Sequence, residues 1–241
     1  MTPNARTEPA DPLDIDPQDA VATYASYLYR EAMGVRPVDI ARLIHDATAG
    51  IDTIAEQLDR ASHEERIGAL HGLDRSAQRA LYRKAADSRP LHLDDFVPRT
   101  VPALVEVRHF GRNTLPLPPA HRVFEKRFCR PDDGSDRLFG YNHAPSKWLI
   151  GPGYFVLMPT SGHARWQERG ALLVDYFQVP DGPVPDHWPA VVRNARGLQR
   201  FVYDGTRDFL RRVSTHVTIG AAYKGERALD HYFVLCREPQ A

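Results

Sequence analysis

Cysteine is scarce in this chain of 241 residues. Two thiols, Cys129 and Cys236, are too few for a disulfide framework and fit a reducing compartment. Each lies in an apolar run and precedes an arginine. A neighbouring guanidinium lowers a thiol pKa, whereas burial makes the residue a small hydrophobe; both readings stand at this level. Long apolar stretches are also missing, and no run approaches the roughly 18 residues of a membrane span. Met1 to Asp16 is rich in proline and acid and has neither the basic nor the apolar region of a signal peptide. It reads as a solvated arm, and a cytoplasmic location is expected.

A charge of one sign is lacking too. Formal net charge is +0. Residues 1–100 hold 12 Lys+Arg against 17 Asp+Glu, and residues 101–241 hold 19 against 14. The resulting −5 and +5 are too small and interspersed for a nucleic-acid footprint. They fit two halves that dock, or a surface that attracts anions. Motifs with a secure mechanism are absent: there is no His-x-x-x-His or His-x-His pair and no Gly-x-Ser-x-Gly elbow. Gly151-Pro152-Gly153 leads into Tyr154-Phe155-Val156-Leu157, a strand sequence, so it reads as a turn or bulge and not a phosphate loop. No metal or cofactor is expected.

What is present organises into two regions. Helical spacing with caps recurs from Asp16 to Pro90. One helix runs from Asp16-Pro17 to Gly34, a second from Pro37 to Gly50 and a third from Ile51 to Ala61. A fourth opens on the capping box Ser62-His63-Glu64-Glu65 and ends at Gly72. A fifth, capped by Asp74, carries Ala77, Leu81 and Ala85. Residues 91–120 are proline-rich and mark a seam; within them Arg108 to Asn113 is polar enough for a cleft edge, and equally fits a loop tied to the sheet.

Beyond the seam, glycine-punctuated apolar runs predict strands. Arg122–Arg130 and Arg137–His143 form a hairpin about a Pro-Asp-Asp-Gly turn, with Phe124, Lys126 and Phe128 on one face; an amphipathic helix is the competing reading of its first half. Ala171–Val179 and Leu198–Tyr203 are further strands, and Asp204 caps a helix over Thr206–Val213. Thr215–Tyr223 alternates and turns at Lys224–Arg227 into a strand over Leu229–Cys236. The expected fold is α+β. A small N-terminal helical bundle (17–90) follows the arm (1–16) and is joined by a linker (91–120) to a mostly antiparallel, curved sheet or open barrel with one packed helix (121–241).

Such a sheet is concave and suits a small-molecule pocket. Asp175, a carboxylate inside an apolar run, and His216, beside Gly220 and Ala222, are the acid/base candidates. Arg211, Arg212 and Lys224 are the candidates for holding an anion, with Tyr141, Asn142 and Tyr154 orienting it. The expected ligand is small and anionic or aromatic. The chemistry, if any, is cofactor-independent isomerase, cyclase, lyase or hydrolase work. The competing reading is a non-enzymatic scaffold whose helices dock a partner protein and whose sheet is filled by its own side chains.

Overall fold

A computed structural model describes residues 39–143, 151–195 and 203–240. The arm expected over residues 1–16, the helix expected over Asp16–Gly34 and most of the strand expected over Leu198–Tyr203 lie outside them. Eight antiparallel strands follow one another around a closed barrel. They are β1 (Val107–Asn113), β2 (Val123–Cys129), β3 (Leu138–His143), β4 (Phe155–Pro159), β5 (Leu172–Asp175), β6 (Thr206–Arg212), β7 (Val217–Lys224) and β8 (Arg227–Arg237). β8 returns to pair with β1, Gly111 lying beside Leu235. Full closure leaves no sheet edge in need of a partner. The polar segment Arg108–Asn113 thus belongs to β1, a stave of the barrel.

Side-chain alternation divides each strand between two cores. On β2, Phe124, Lys126 and Phe128 point inward, as their spacing predicts, and the strand reading prevails over the helical one. On β7, Thr218 and Gly220 face the interior while Val217, Ile219 and Ala221 face outward. Gly225, with φ +57°, closes the β7–β8 hairpin in a conformation that side chains rarely adopt.

The helix expected over Thr206–Val213 is instead β6. Thr206, Asp208 and Leu210 are buried there with Phe209 between them. Charged and apolar residues occupy both faces of this strand, because the barrel interior is itself polar near Asp208. That mixture conceals the period of two.

The helices are α1 (Ile40–His45), α2 (Ile51–Arg60), α3 (His63–His71), α4 (Arg75–Lys84) and the short α5 (Ala164–Gln167). Ser62 and Glu65 form the reciprocal cap at the start of α3, and the Asp74 carboxylate accepts from Ala77 N at the start of α4. Ile51, Ile54, Leu58 and Leu81 share one apolar cluster with Val217, Ile219, Val234 and Cys236. These helices therefore cover the outer wall formed by β7 and β8. Polar links pin them there: Asp59 accepts from Thr215 N at 3.0 Å, and Arg79 pairs with Asp230. No helix among the described residues is long and apolar enough to cross a membrane.

The first part of the proline-rich segment packs into the barrel. Leu91, Leu93, Phe96, Val97 and Val101 belong to the interior cluster. The Phe96 ring stacks on His109 at 5.1 Å, and the His109 Nε2 lies 3.0 Å from the Phe96 carbonyl, which makes it the donor. Burial pulls the His109 pKa down to about 3, so the ring is neutral in the fold.

Large rings lie over inward glycines of the barrel. A Cβ on Gly140 would sit 2.4 Å from the Phe155 ring, and one on Gly220 would sit 2.2 Å from Phe233. The room that Gly220 leaves is thus taken by Phe233. Gly220→Ala is expected to destabilise the protein by roughly 1–3 kcal/mol, the usual cost of overpacking. Urea denaturation checks this, and the double variant Gly220→Ala/Phe233→Leu should lose clearly less than the sum of the two single changes.

Candidate functional site

Four polar side chains meet inside the barrel. Lys126 on β2, Asn142 on β3 and Asp208 on β6 point inward, and Tyr176 follows the end of β5. Lys126 is 1% exposed and Asp208 6%. The ammonium donates to Asn142 Oδ1 at 2.8 Å and to the Tyr176 hydroxyl at 2.5 Å. Asp208 Oδ2 lies 3.7 Å from Lys126 Nζ and also interacts with the Tyr176 hydroxyl. Asn142 Nδ2 donates to the Gly153 carbonyl at 3.0 Å and to Tyr176 at 3.2 Å, which fixes its amide orientation.

Aromatic faces enclose the cation. Lys126 Nζ lies 4.7 Å from the Phe155 ring centroid, 4.9 Å from Phe233 and 5.1 Å from Tyr176, within the range where a ring quadrupole attracts a cation. Tyr203 stacks on Tyr176 at 5.1 Å and covers Gly153.

The electrostatics follow from removing these groups from water. Burial pulls the Lys126 pKa down to about 8, although the Asp208 carboxylate works against it. Burial pushes Asp208 up, with Lys126 opposing. Tyr176 is held well above its usual range by burial and by Asp208. Desolvation thus outweighs attraction for both members of the ion pair. The result is an amine that changes charge near neutral pH beside a carboxylate and a phenol, the pairing of perturbed groups that acid/base chemistry uses.

The eight sequence candidates disperse. Asn142 alone faces the barrel interior. Asp175 is buried on the outer side, 3.3 Å from Arg207 Nε, and accepts from Phe177 N and Gln178 Nε2. His216 lies between β6 and β7, where burial and Arg66 hold its pKa down. Asp175 pairs across β5–β6 with Arg207 near the start of β6, whereas His216 follows the other end of that strand. The structure therefore does not bring Asp175 and His216 together.

Tyr141 and Tyr154 are outside the barrel, in an aromatic cluster with Trp188. Arg211 stacks on Tyr82 at 4.2 Å and donates to the carbonyls of Tyr82 and Glu168. Arg212 pairs with Asp95 and donates to the Pro90 carbonyl. Both arginines tie elements together. Lys224 is exposed at the end of β7.

Both cysteines are buried, which pushes Cys129 up to about 12 and Cys236 to about 11. The arginine that follows each does not activate it. They sit on β2 and β8, with β1 between, so they are not cross-strand neighbours. Among the described residues no group of three His, Cys, Asp or Glu is placed to hold a metal ion.

Lys126, Tyr176, Tyr203 and Asp208 are the site residues that sequence reasoning missed. One signal was available: a lysine between two phenylalanines on the inward face of a strand. Asp208 carried none while its segment read as a helix.

Cavities of about 320 Å³ and 480 Å³ open away from this centre. The larger lies where Leu91–Asp94 meets the β2–β3 turn, and its arginines, Arg99 and Arg130, are both paired with Asp94.

Lys126 is expected to titrate near pH 8, losing its charge as pH rises through that value. Selective labelling of the four lysines and following the Lys126 side-chain carbon shift by NMR checks this. A midpoint near the ordinary 10.5 would show a solvated ammonium.

Comparison with protein-family models, with curated proteins and with solved structures finds no match to this chain, so a functional reading rests on the geometry alone.

Proposed function

We propose that this is a small-molecule-binding protein whose barrel supplies an acid/base centre made of Lys126, Asp208 and Tyr176, oriented by Asn142. The observation that carries the reading is a fully buried ammonium whose pKa falls to about 8 inside an aromatic enclosure. Apolar packing of the same volume is commonly as stable as a buried ion pair. A lysine, a carboxylate and a phenol in a barrel core therefore favour a use beyond stability.

The ligand class follows from the lining. Phe155, Phe233, Tyr176 and Tyr203 favour an aromatic or conjugated body, and the Lys126 ammonium favours an anionic group on it. Tyr203, less buried than Tyr176, is the ring such a ligand would replace. Above pH 8 the free amine accepts a proton, and the Tyr176 phenol, which burial keeps protonated, returns one while the Asp208 carboxylate balances the charge. That suits isomerase, cyclase, lyase or hydrolase chemistry without a cofactor.

The competing scaffold reading has one observation in its favour, the ring-on-glycine filling of the barrel. Its docking surface cannot be the apolar faces of α2 and α4, which are spent on β7 and β8.

The test uses 4-hydroxybenzoate, a small polar-aromatic anion, in thermal-shift and calorimetric titrations of the wild-type protein and Lys126→Met. Saturable stabilisation of the wild type, reduced about tenfold or more in apparent affinity by Lys126→Met, is the expected result. Equal binding by both proteins, or none by either across a panel of aromatic carboxylates, would remove the barrel centre from consideration as the site.

A further inference from the structure

The other cavity, of about 320 Å³, lies at the start of α4 where β1 ends, and Asp74, Arg75, Ser76, Asn113, Thr114 and Arg122 border it. Its charge is unbalanced. Arg75 Nη2 donates to the Thr114 carbonyl at 2.9 Å, and Arg122 Nε donates to the Leu117 carbonyl at 2.8 Å. Neither guanidinium has a carboxylate at ion-pair distance among the described residues.

Arg112, outward on β1, adds a third guanidinium without such a partner. Burial, and the like charge of Arg122, hold its pKa below the usual value. Ten other arginines in the described residues do pair with acids, from Arg60 to Arg212. Other arginines also lack an acid, so what sets these apart is position: Arg75 and Arg122 border one cavity, and Arg112 is close enough to Arg122 to feel its charge.

The acids nearby hold other donors, although Arg75 also feels the charge of Asp230. Asp74 on the rim spends Oδ1 on the Ala77 amide, and Asp230 holds Arg79 through both oxygens. His71 lies close to Arg112 and is pulled down to about 4 by burial and by that guanidinium, so it is neutral and the positive charge here comes from the arginines. Donors dominate what remains. The forks of Arg75 and Arg122 keep free N–H groups beyond the single carbonyl each one holds, and the Ser76 hydroxyl and Asn113 amide stand at the same rim.

We infer that this groove is an anion site for a phosphate monoester group, formed by Arg75 and Arg122 with Arg112 behind them. A lone carboxylate is satisfied by one bidentate guanidinium. Two guanidiniums bordering one small cavity, with the charge of Arg112 beside Arg122, match the several oxygens and double charge of a phosphate. The first turn of α4, ten residues long, adds its positive dipole end to the same place. The site is separate from the Lys126 centre and stands or falls independently of it.

Isothermal titration of the full chain with inorganic phosphate, at low and at 0.15 M salt, tests the inference, with succinate as the carboxylate probe. The expected result is saturable phosphate binding, weakened about tenfold or more by Arg122→Gln and by Arg75→Gln, and changed less than about twofold by Arg83→Gln. Arg83 is exposed on the same helix, so its substitution removes the same charge away from the groove. Arg122→Lys keeps the charge without the fork and should recover only part of the affinity. Three results would overturn the inference: no saturable binding at millimolar phosphate, equal losses in all three glutamine variants, or succinate binding as tightly as phosphate. Unchanged circular dichroism and unfolding midpoints in the variants keep a loss of binding separate from a loss of fold.

Discussion

The buried ammonium of Lys126 sets the terms for everything around it. Taking such a charge out of water costs several kcal/mol unless it is paired and hydrogen-bonded, and three strands are needed to supply the partners. Asn142 from β3, Tyr176 from the end of β5 and Asp208 from β6 reach it only if the sheet curls far enough to bring opposite walls together. Closure of the barrel and satisfaction of the lysine are therefore one constraint seen from two sides. Rings lying over inward glycines allow that tight curl, because a side chain at Gly140 or Gly220 would push Phe155 or Phe233 outward.

The exterior is divided in a way that preserves this interior. Helices α2 and α4 seal the β7–β8 wall with aliphatic contacts. Tyr141, Tyr154 and Trp188 seal the opposite region around β3 and β4, where Asn194 ties the covering loop to the carbonyls of Tyr154 and Tyr176. The segment carrying Phe96 fills part of the interior. The long-range arginines join these layers: Arg211 reaches α4 and the β4–β5 connection together, and Arg212 holds the segment at Asp95.

Much of the architecture was readable in the residues. The capping box at Ser62, the cap at Asp74, the β2–β3 hairpin and the alternation of β7 are local signals, and local signals survive into the fold. The α+β class and a mostly antiparallel, curved sheet or open barrel followed from them. Closure did not, since it depends on β1 meeting β8 about 120 residues away in the chain. The site was less legible for the same reason. Asp175 looks exposed to chemistry as a lone acid in an apolar run, but the run has two faces, and the outer one offers Arg207. Lys126 showed its inward direction in sequence, yet its partners come from three other strands, and one of them, β6, mixes charge and hydrophobicity on both sides.

The central claim is that Lys126 and Asp208 face one another in a dry interior, and a double-mutant cycle on that pair tests it most directly. Lys126→Met and Asp208→Leu, each alone, should destabilise the protein by about 3–5 kcal/mol, because each strands a buried charge. Together they should cost well below the sum, with a coupling of roughly 1.5 kcal/mol or more. Losses that add to within about 0.5 kcal/mol would mean that the two groups do not share an environment, and would contradict the account.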